Sequence, residues 1–229
     1  MLRVILVFFL LCVPVQALTI DPLPSWQESR TKAAILEFVK TVTDKKSEFY
    51  VKPSQRVAVF DNDGTLICEK PLYVQFVFAR DRIKKLVEND PSLQENEIYK
   101  AALANDRDTL AKSGARGIQV LLGETHAGMS VGEYEKLVFD WFENSRHPRF
   151  EKRYDQCHYQ PMKEVIALLQ MNGFKTYIVT GSGRDFMRAW CEDALGIPVN
   201  QIVGSSCKLE FKTSEGEPQV FRTGVIESL

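Results

Sequence analysis

Apolar residues along the chain fall into two alternating patterns. Short solid runs occur at Val57-Ala58-Val59-Phe60, at "FKTYIV" (Phe174–Val179) and at "QIVG" (Gln201–Gly204). They are too brief for helices and are bounded by Asp, Thr or Gly, so they predict strands. A wholly apolar run such as Val57–Phe60 is expected of a strand buried on both faces of a parallel sheet. Elsewhere apolar residues recur every three or four positions. Ile35, Phe38, Val39 and Val42 mark a helix beginning near Trp26 and broken at Pro53-Ser54. A second helix opens at Pro71 and reaches Val87, with Asp90-Pro91 ending it. Residues 95–112 read as a mostly polar helix, and residues 113–130 as a Gly-rich, broken stretch. Ser130-Val131-Gly132-Glu133 matches a capping box and opens a helix carrying Leu137, Val138, Trp141 and Phe142. Pro161 to Met171 is another helix, closed by Asn172-Gly173. After the strand at 174–179 come a tight turn, "TGSGR", and a helix from Asp185 to Leu195 closed by Gly196. "KLEFK" and "PQVFR" around "TSEGE" predict a β-hairpin.

Strand, helix and strand at short spacing are the signature of a doubly wound parallel sheet. The predicted fold is therefore α/β: a Rossmann-like parallel sheet interrupted by a helical cap insertion. The first part of the α/β core spans residues 18–68, the cap 69–157, and the second part of the core with its terminal hairpin 158–229. Residues 1–17, "MLRVILVFFLLCVPVQA", are set apart. They join a positive Arg3, an apolar core from Val4 to Val13 and the small-residue end Val15-Gln16-Ala17. This reads as a signal peptide, so the chain is expected to be exported to the periplasm or secreted. The apolar core is too short for a stable membrane anchor.

Composition narrows the partners. With 29 basic and 30 acidic residues the net charge is −1, which supplies no basic field for nucleic acid. Beyond the leader the cysteines are Cys68, Cys157, Cys191 and Cys207, with no C-x-x-C pair, so a zinc ribbon or thioredoxin-like motif has no support. Disulfides and buried free thiols both remain open. None of His126, His147 and His158 lies near a second ligand at metal spacing.

The chemistry concentrates in "VAVFDNDGTLI", Val57 to Ile67. Asp61 ends the predicted strand and Asp63 follows two residues on. Two acids that close repel each other, so a metal ion, a turn or a reaction must favour the arrangement. A calcium loop of the EF-hand kind needs Glu at its twelfth position, where this chain has Leu72. An Asx turn with Gly64 remains open, as does a nucleophile and acid/base pair on magnesium. Ligands of open parallel sheets bind at the carboxyl ends of strands. Asp61 and Asp63 lie at one such end and Thr180 at another, so the three could share a site.

"FDNDGTL" after an apolar strand, followed beyond a helical insertion by "YIVTGSG", resembles the haloacid dehalogenase-type hydrolases. The closer resemblance is to their phosphoserine-phosphatase-like branch, and it covers residues 55–211. It implies that Asp61 attacks phosphorus to form an aspartyl-phosphate. It implies that Asp63 protonates the leaving oxygen and later takes a proton from water. Mg2+ would sit on the Asp61 carboxylate and the Asp63 backbone carbonyl, while the Thr180 hydroxyl and Gly181 amide hold a phosphoryl oxygen. The reading for Arg184 and Asp185 is a solvated first helical turn. The insertion would choose the substrate, with Phe76, Phe78, Arg80, Arg116 and His126 as possible contributors.

The chain departs from the family after Gly204. No apolar strand followed by paired Asp appears, and the lysine that balances phosphate has no clear counterpart; Lys208 and Lys212 lie in the hairpin. The chain is expected to be C-terminally truncated relative to the family. Val57–Phe60 would then be an exposed apolar edge, which a partner or a second copy could cover. The expected function is an exported, Mg2+-dependent phosphomonoesterase acting on a small phosphorylated substrate. The alternative is a catalytically impaired fragment that at most binds phosphate or a partner.

Overall fold

Ser29, rather than Trp26, begins the first helix. Its hydroxyl accepts the Lys32 amide at 3.2 Å and caps α1 (Arg30–Thr43). In the computed structural model, which describes residues 20–214 and 216–228, the chain then enters the short strand β1 (Val57–Phe60). The predicted leader at residues 1–17 lies outside the described residues. No helix among the described residues is long and apolar enough to cross a membrane.

The middle of the chain is helical throughout. It comprises α2 (Val74–Asn89), α3 (Glu97–Ala104), α4 (Arg107–Ile118) and α5 (Val131–Asn144). The single helix expected over 95–112 is divided because Asn105 turns left-handed (φ 53°) and ends α3, after which Asp106 caps α4 through the Thr109 amide. The stretch expected to be broken is more helical than its glycines suggest. Gly114 breaks α4, a π-turn carries the chain through Gln119–Gly123, and helical geometry ends at the extended Ala127 and the left-handed Gly128 (φ +79°). The capping box at Ser130 and Glu133 forms as expected, with both reciprocal bonds in place.

Helix α6 (Gln160–Met171) leads into β2 (Lys175–Gly183), then α7 (Arg184–Arg188), α8 (Cys191–Leu195), β3 (Ile202–Ser214) and β4 (Glu217–Ser228). The sheet order is β1-β2-β3-β4; β1, β2 and β3 are parallel and β4 is antiparallel to β3. Two corrections follow. The expected tight turn "TGSGR" is the irregular end of β2, whose pairing with β3 shifts register between Val179 and Gly183. The "QIVG" strand and the first arm of the hairpin are one continuous strand, so the hairpin grows directly out of the core sheet.

Pairing of Phe60 with Ile178 and of Ile178 with Ile202 aligns one face of the sheet. That face buries against Val165, Ile166 and Leu168 of α6 and Leu195 of α8, and the same cluster runs on into Phe78, Trp141 and Phe142 of the cap. The opposite face is bare. Val57 and Val59 are 52% and 59% exposed, and Val179 and Val203 beside them are exposed too. The expectation that β1 is buried on both faces therefore fails. Its residues alternate between exposed and covered because the sheet is covered on one side only. Among the described residues β1 also has a neighbour on one edge only, as expected.

The hairpin reaches across to the cap. The Arg222 amide donates to the Met129 carbonyl and the Gly128 amide to the Arg222 carbonyl, each at 2.8 Å. The Gln119 side chain donates to the Gly224 carbonyl and accepts the Ile226 amide at 3.0 Å. The guanidinium of Arg222 is buried, 3.9 Å above the Tyr134 ring, and donates to Asp185 at 2.6 Å. Asp185 is thus not the solvated first-turn residue expected: its cation arrives from β4.

Removing one partner of a buried ion pair strands the other. Arg222→Met is expected to lower the unfolding free energy by about 3–5 kcal/mol, with much of the loss recovered by adding Asp185→Asn. Urea unfolding measures both, and a single-variant loss below about 1 kcal/mol would contradict a buried pair. On the bare face, Val59→Lys is expected to change stability by no more than about 0.5 kcal/mol. Self-association through the open edge, expected from the sequence, should fall in light scattering with the same substitution, and unchanged scattering would refute that interface.

Candidate active site

The turn after β1 is organised by Asn62. Its backbone carbonyl accepts the amides of Thr65, Leu66 and Ile67 at 3.1, 2.8 and 3.2 Å, which folds the chain sharply back. Gly64 completes the turn at φ +78°, where a side chain is strained. A Cβ there would also press on the Glu69 carboxylate at 3.3 Å. The turn leaves Asp61 exposed at the strand tip and draws Asp63 partly inside.

Asp63 is held from the end of the neighbouring strand β2. The Ser182 hydroxyl donates to its Oδ2 at 3.0 Å, while its Oδ1 is buried without a partner among the described residues. Burial raises the pKa of this carboxyl, and the nearby Asp61 and Glu69 add to the rise; the Ser182 hydroxyl, and after it the neighbouring Asn62 side chain, offset part of it. Glu69 itself accepts the Tyr159 hydroxyl at 3.4 Å.

The irregular end of β2 is pinned at each residue. Thr180 accepts the Ser182 amide through its hydroxyl oxygen at 3.1 Å, which leaves its proton free to be donated. The Gly181 carbonyl accepts the Ser205 hydroxyl at 2.8 Å, and the Gly183 amide donates to Gln75 of α2 at 2.7 Å. Gly204 on β3 permits this packing, since a Cβ there would lie 2.5 Å from the Ser182 carbonyl. The two motif segments therefore meet, but through Ser182 and Asp63; Thr180 and Gly181 shape the loop around that contact. Ser182 and Gln75 escaped the sequence reading. The hydroxyl two places after Thr180 was the one available signal for Ser182, and nothing local marks Gln75.

Other sequence candidates lie elsewhere. Phe78 and His126 stack at 5.1 Å in the core. Burial first, then Arg222 and Arg82, push the His126 pKa down to about 3, so the ring is neutral at physiological pH. Arg116 pairs with Glu124, and Lys208 is exposed on β3. A cleft of about 310 Å³ opens at the start of the cap, lined by Glu69, Lys70, Tyr73, Phe76, Arg107 and Leu110. Through Glu69 it adjoins the aspartate loop. A larger groove of about 530 Å³ lies between α2 and α5 and includes neither aspartate.

No cluster of three His, Cys, Asp or Glu able to hold a metal exists among the described residues. The exposed Asp61 carboxylate and the Asp63 backbone carbonyl beside it still offer hard oxygen donors. Mg2+ commonly binds to one or two protein carboxylates and completes its shell with water and phosphate, so the residues fit it.

Residues 58–225 match the family model of haloacid dehalogenase-like hydrolases. No curated protein matches the chain. Among solved structures, the chain is similar to a protein of unknown function from Bordetella pertussis, at 18% identity and TM-score 0.48 over 75% of this chain and 66% of that one. It is similar to a phosphoserine phosphohydrolase-like protein from Francisella tularensis, at 19% identity and TM-score 0.35 over 68% and 60%. It is also similar to cytosolic 5'-nucleotidase IIIB bound to cytidine, at 14% identity and TM-score 0.42 over 90% and 64%. The chain spans between 60% and 66% of the length of these three proteins.

Because folding raises the Asp63 pKa above its ordinary 3.8, the group stabilises the fold fully below that value. That contribution is lost as pH rises through the folded-state pKa. Asp63→Asn is therefore expected to raise the melting temperature at pH 7 in metal-free buffer, and to raise it less at pH 4. Equal shifts at both pH values would show that the carboxyl titrates normally.

Proposed function

The chain belongs to the haloacid dehalogenase-like hydrolases, and we propose that within that family it hydrolyses phosphate monoesters through an aspartyl-phosphate. One observation carries the reading. An exposed carboxylate, Asp61, stands beside a half-buried one, Asp63, whose pKa is raised by its surroundings and which Ser182 holds in place. An exposed carboxylate and a half-buried carboxyl whose pKa is raised divide naturally into a nucleophile and an acid/base.

In the first step an oxygen of Asp61 attacks phosphorus and the ester oxygen leaves, taking its proton from Asp63. The raised pKa favours the protonated form that this step needs. In the second step Asp63, now ionised, takes a proton from the water that attacks the phosphoryl group, and Asp61 is released with inorganic phosphate. The Thr180 hydroxyl and Gly181 amide would donate to the phosphoryl oxygens. Mg2+, held by the Asp61 carboxylate and the Asp63 backbone carbonyl, would offset the charge of two carboxylates and a phosphate. The 310 Å³ cleft would receive the leaving group, so a small phosphorylated substrate fits this reading. With residues 1–17 acting as a leader, the reaction takes place outside the cytosol.

A second reading rests on the bare face around Val57 and Val59. In it the chain binds phosphate, or a partner over the edge of β1, without turnover. Hydrolysis of p-nitrophenyl phosphate separates the two. The first reading expects turnover with Mg2+, a fall of at least about 100-fold on chelation and a loss of about 1,000-fold or more in Asp61→Asn. Turnover that survives Asp61→Asn would reject it. Phosphate binding with no turnover in the unaltered chain would favour the second.

A further inference from the structure

The chain crosses between the sheet core and the cap twice, and the two crossings run side by side. The outgoing segment passes through Leu66, Ile67 and Cys68 and the returning one through Cys157, His158 and Tyr159. Ile67 and His158 form an antiparallel bridge. The Cys68 amide donates to the Cys157 carbonyl at 3.1 Å and the Tyr159 amide to the Leu66 carbonyl at 2.8 Å. This short ribbon sets Cys68 opposite Cys157. Residues facing each other across a hydrogen-bonded antiparallel pair sit about 5.5 Å apart at Cα and project to the same side. Disulfides span Cα separations of about 4.4–6.8 Å.

We propose that Cys68 and Cys157 form a reversible disulfide that clamps the junction between core and cap. Both thiols are free in this structure. Cys68 Sγ contacts the Lys70 carbonyl at 3.6 Å and Cys157 Sγ the Arg153 carbonyl at 3.4 Å, weak bonds that rotation about χ1 would release. Burial, and after it the neighbouring Cys68 sulfur, push the Cys157 thiol up, which places the two side chains within electrostatic reach. Cys191 and Cys207 are buried on α8 and β3, away from the ribbon. Neither junction thiol has a part in the proposed hydrolysis.

The oxidant is a small dialkyl disulfide. Cys68 is the more exposed thiol, so its thiolate attacks one sulfur of the reagent, forms a mixed disulfide and expels one thiolate. The Cys157 thiolate then attacks the Cys68 sulfur, closes the bond and expels the second thiolate. The protein loses two electrons and two protons, and the reagent gains them as two thiols. The loop closed by the bond contains α2, α3, α4 and α5, so the cross-link restricts the unfolded chain as well as the junction.

The test equilibrates the full chain with oxidised and reduced glutathione, blocks remaining thiols and maps the peptides by mass. The expected product joins the Cys68 peptide to the Cys157 peptide and leaves Cys191 and Cys207 free to be blocked once the chain is unfolded. Its melting temperature should rise by roughly 5–15 °C and return on reduction. Cys68→Ser, at a partly exposed position, should fold and show neither effect. A Cys68 that stops at the glutathione adduct overturns the proposal, as does a link to Cys191 or Cys207. A cross-linked product with an unchanged melting temperature refutes the clamp.

Discussion

The hydroxyl of Ser182 on the carboxylate of Asp63 joins residues 119 positions apart, and the site depends on this bond. A carboxylate drawn out of water costs free energy unless it is bonded. Here one oxygen has a donor and the other is buried without a partner. The surroundings exist to permit this. Parallel pairing of β1 with β2 brings the two strand ends together, Gly64 turns the backbone away, and Gly204 lets the Ser182 carbonyl approach β3. Gln75 adds a tie from the cap to the same loop. A fold that holds a carboxyl against its preference is one in which stability has been given up locally, as functional sites commonly show.

Around that site the apolar core does not stop at the boundary between sheet and insertion. Phe60, Ile178 and Ile202 of the sheet share a cluster with Phe78, Trp141 and Phe142 of the cap helices. A second cluster, built on Ile83, Val87, Tyr99, Ala102 and Val120, belongs to the cap itself. The buried pair of Arg222 and Asp185 sits where hairpin, cap and α7 meet. It fixes orientation there more than it adds attraction, because both charges have been desolvated to form it.

Much of this was legible in the sequence because it is local. The strand before Asp61, the capping box at Ser130, the helix opening at Pro161 and the open edge of β1 follow from runs, caps and spacing that involve near neighbours. What escaped is set by distant partners. Asp185 looks like a solvated first-turn residue until Arg222 arrives 37 positions later. Val57 and Val59 look like core until the helices are found on the other face of the sheet. Ser182 could be told from Thr180 only once the end of β2 was known to shift register. The sequence put Asp63 and Thr180 at the ends of neighbouring strands, and the structure chose which hydroxyl touches the acid.

The hairpin has a mechanical consequence. A lid joined to its base by two adjacent linkers can swing about the line through them. The β3–β4 arm supplies a third attachment, distant in sequence from both linkers, through Arg222, Gly224 and Ile226 to Met129 and Gln119. Three attachments that are not in line remove the swing and leave a fixed roof. On the proposed function, discrimination among substrates would then fall to the size of the cleft lined by Tyr73 and Arg107, a sieve, and not to a closure that the right ligand provokes.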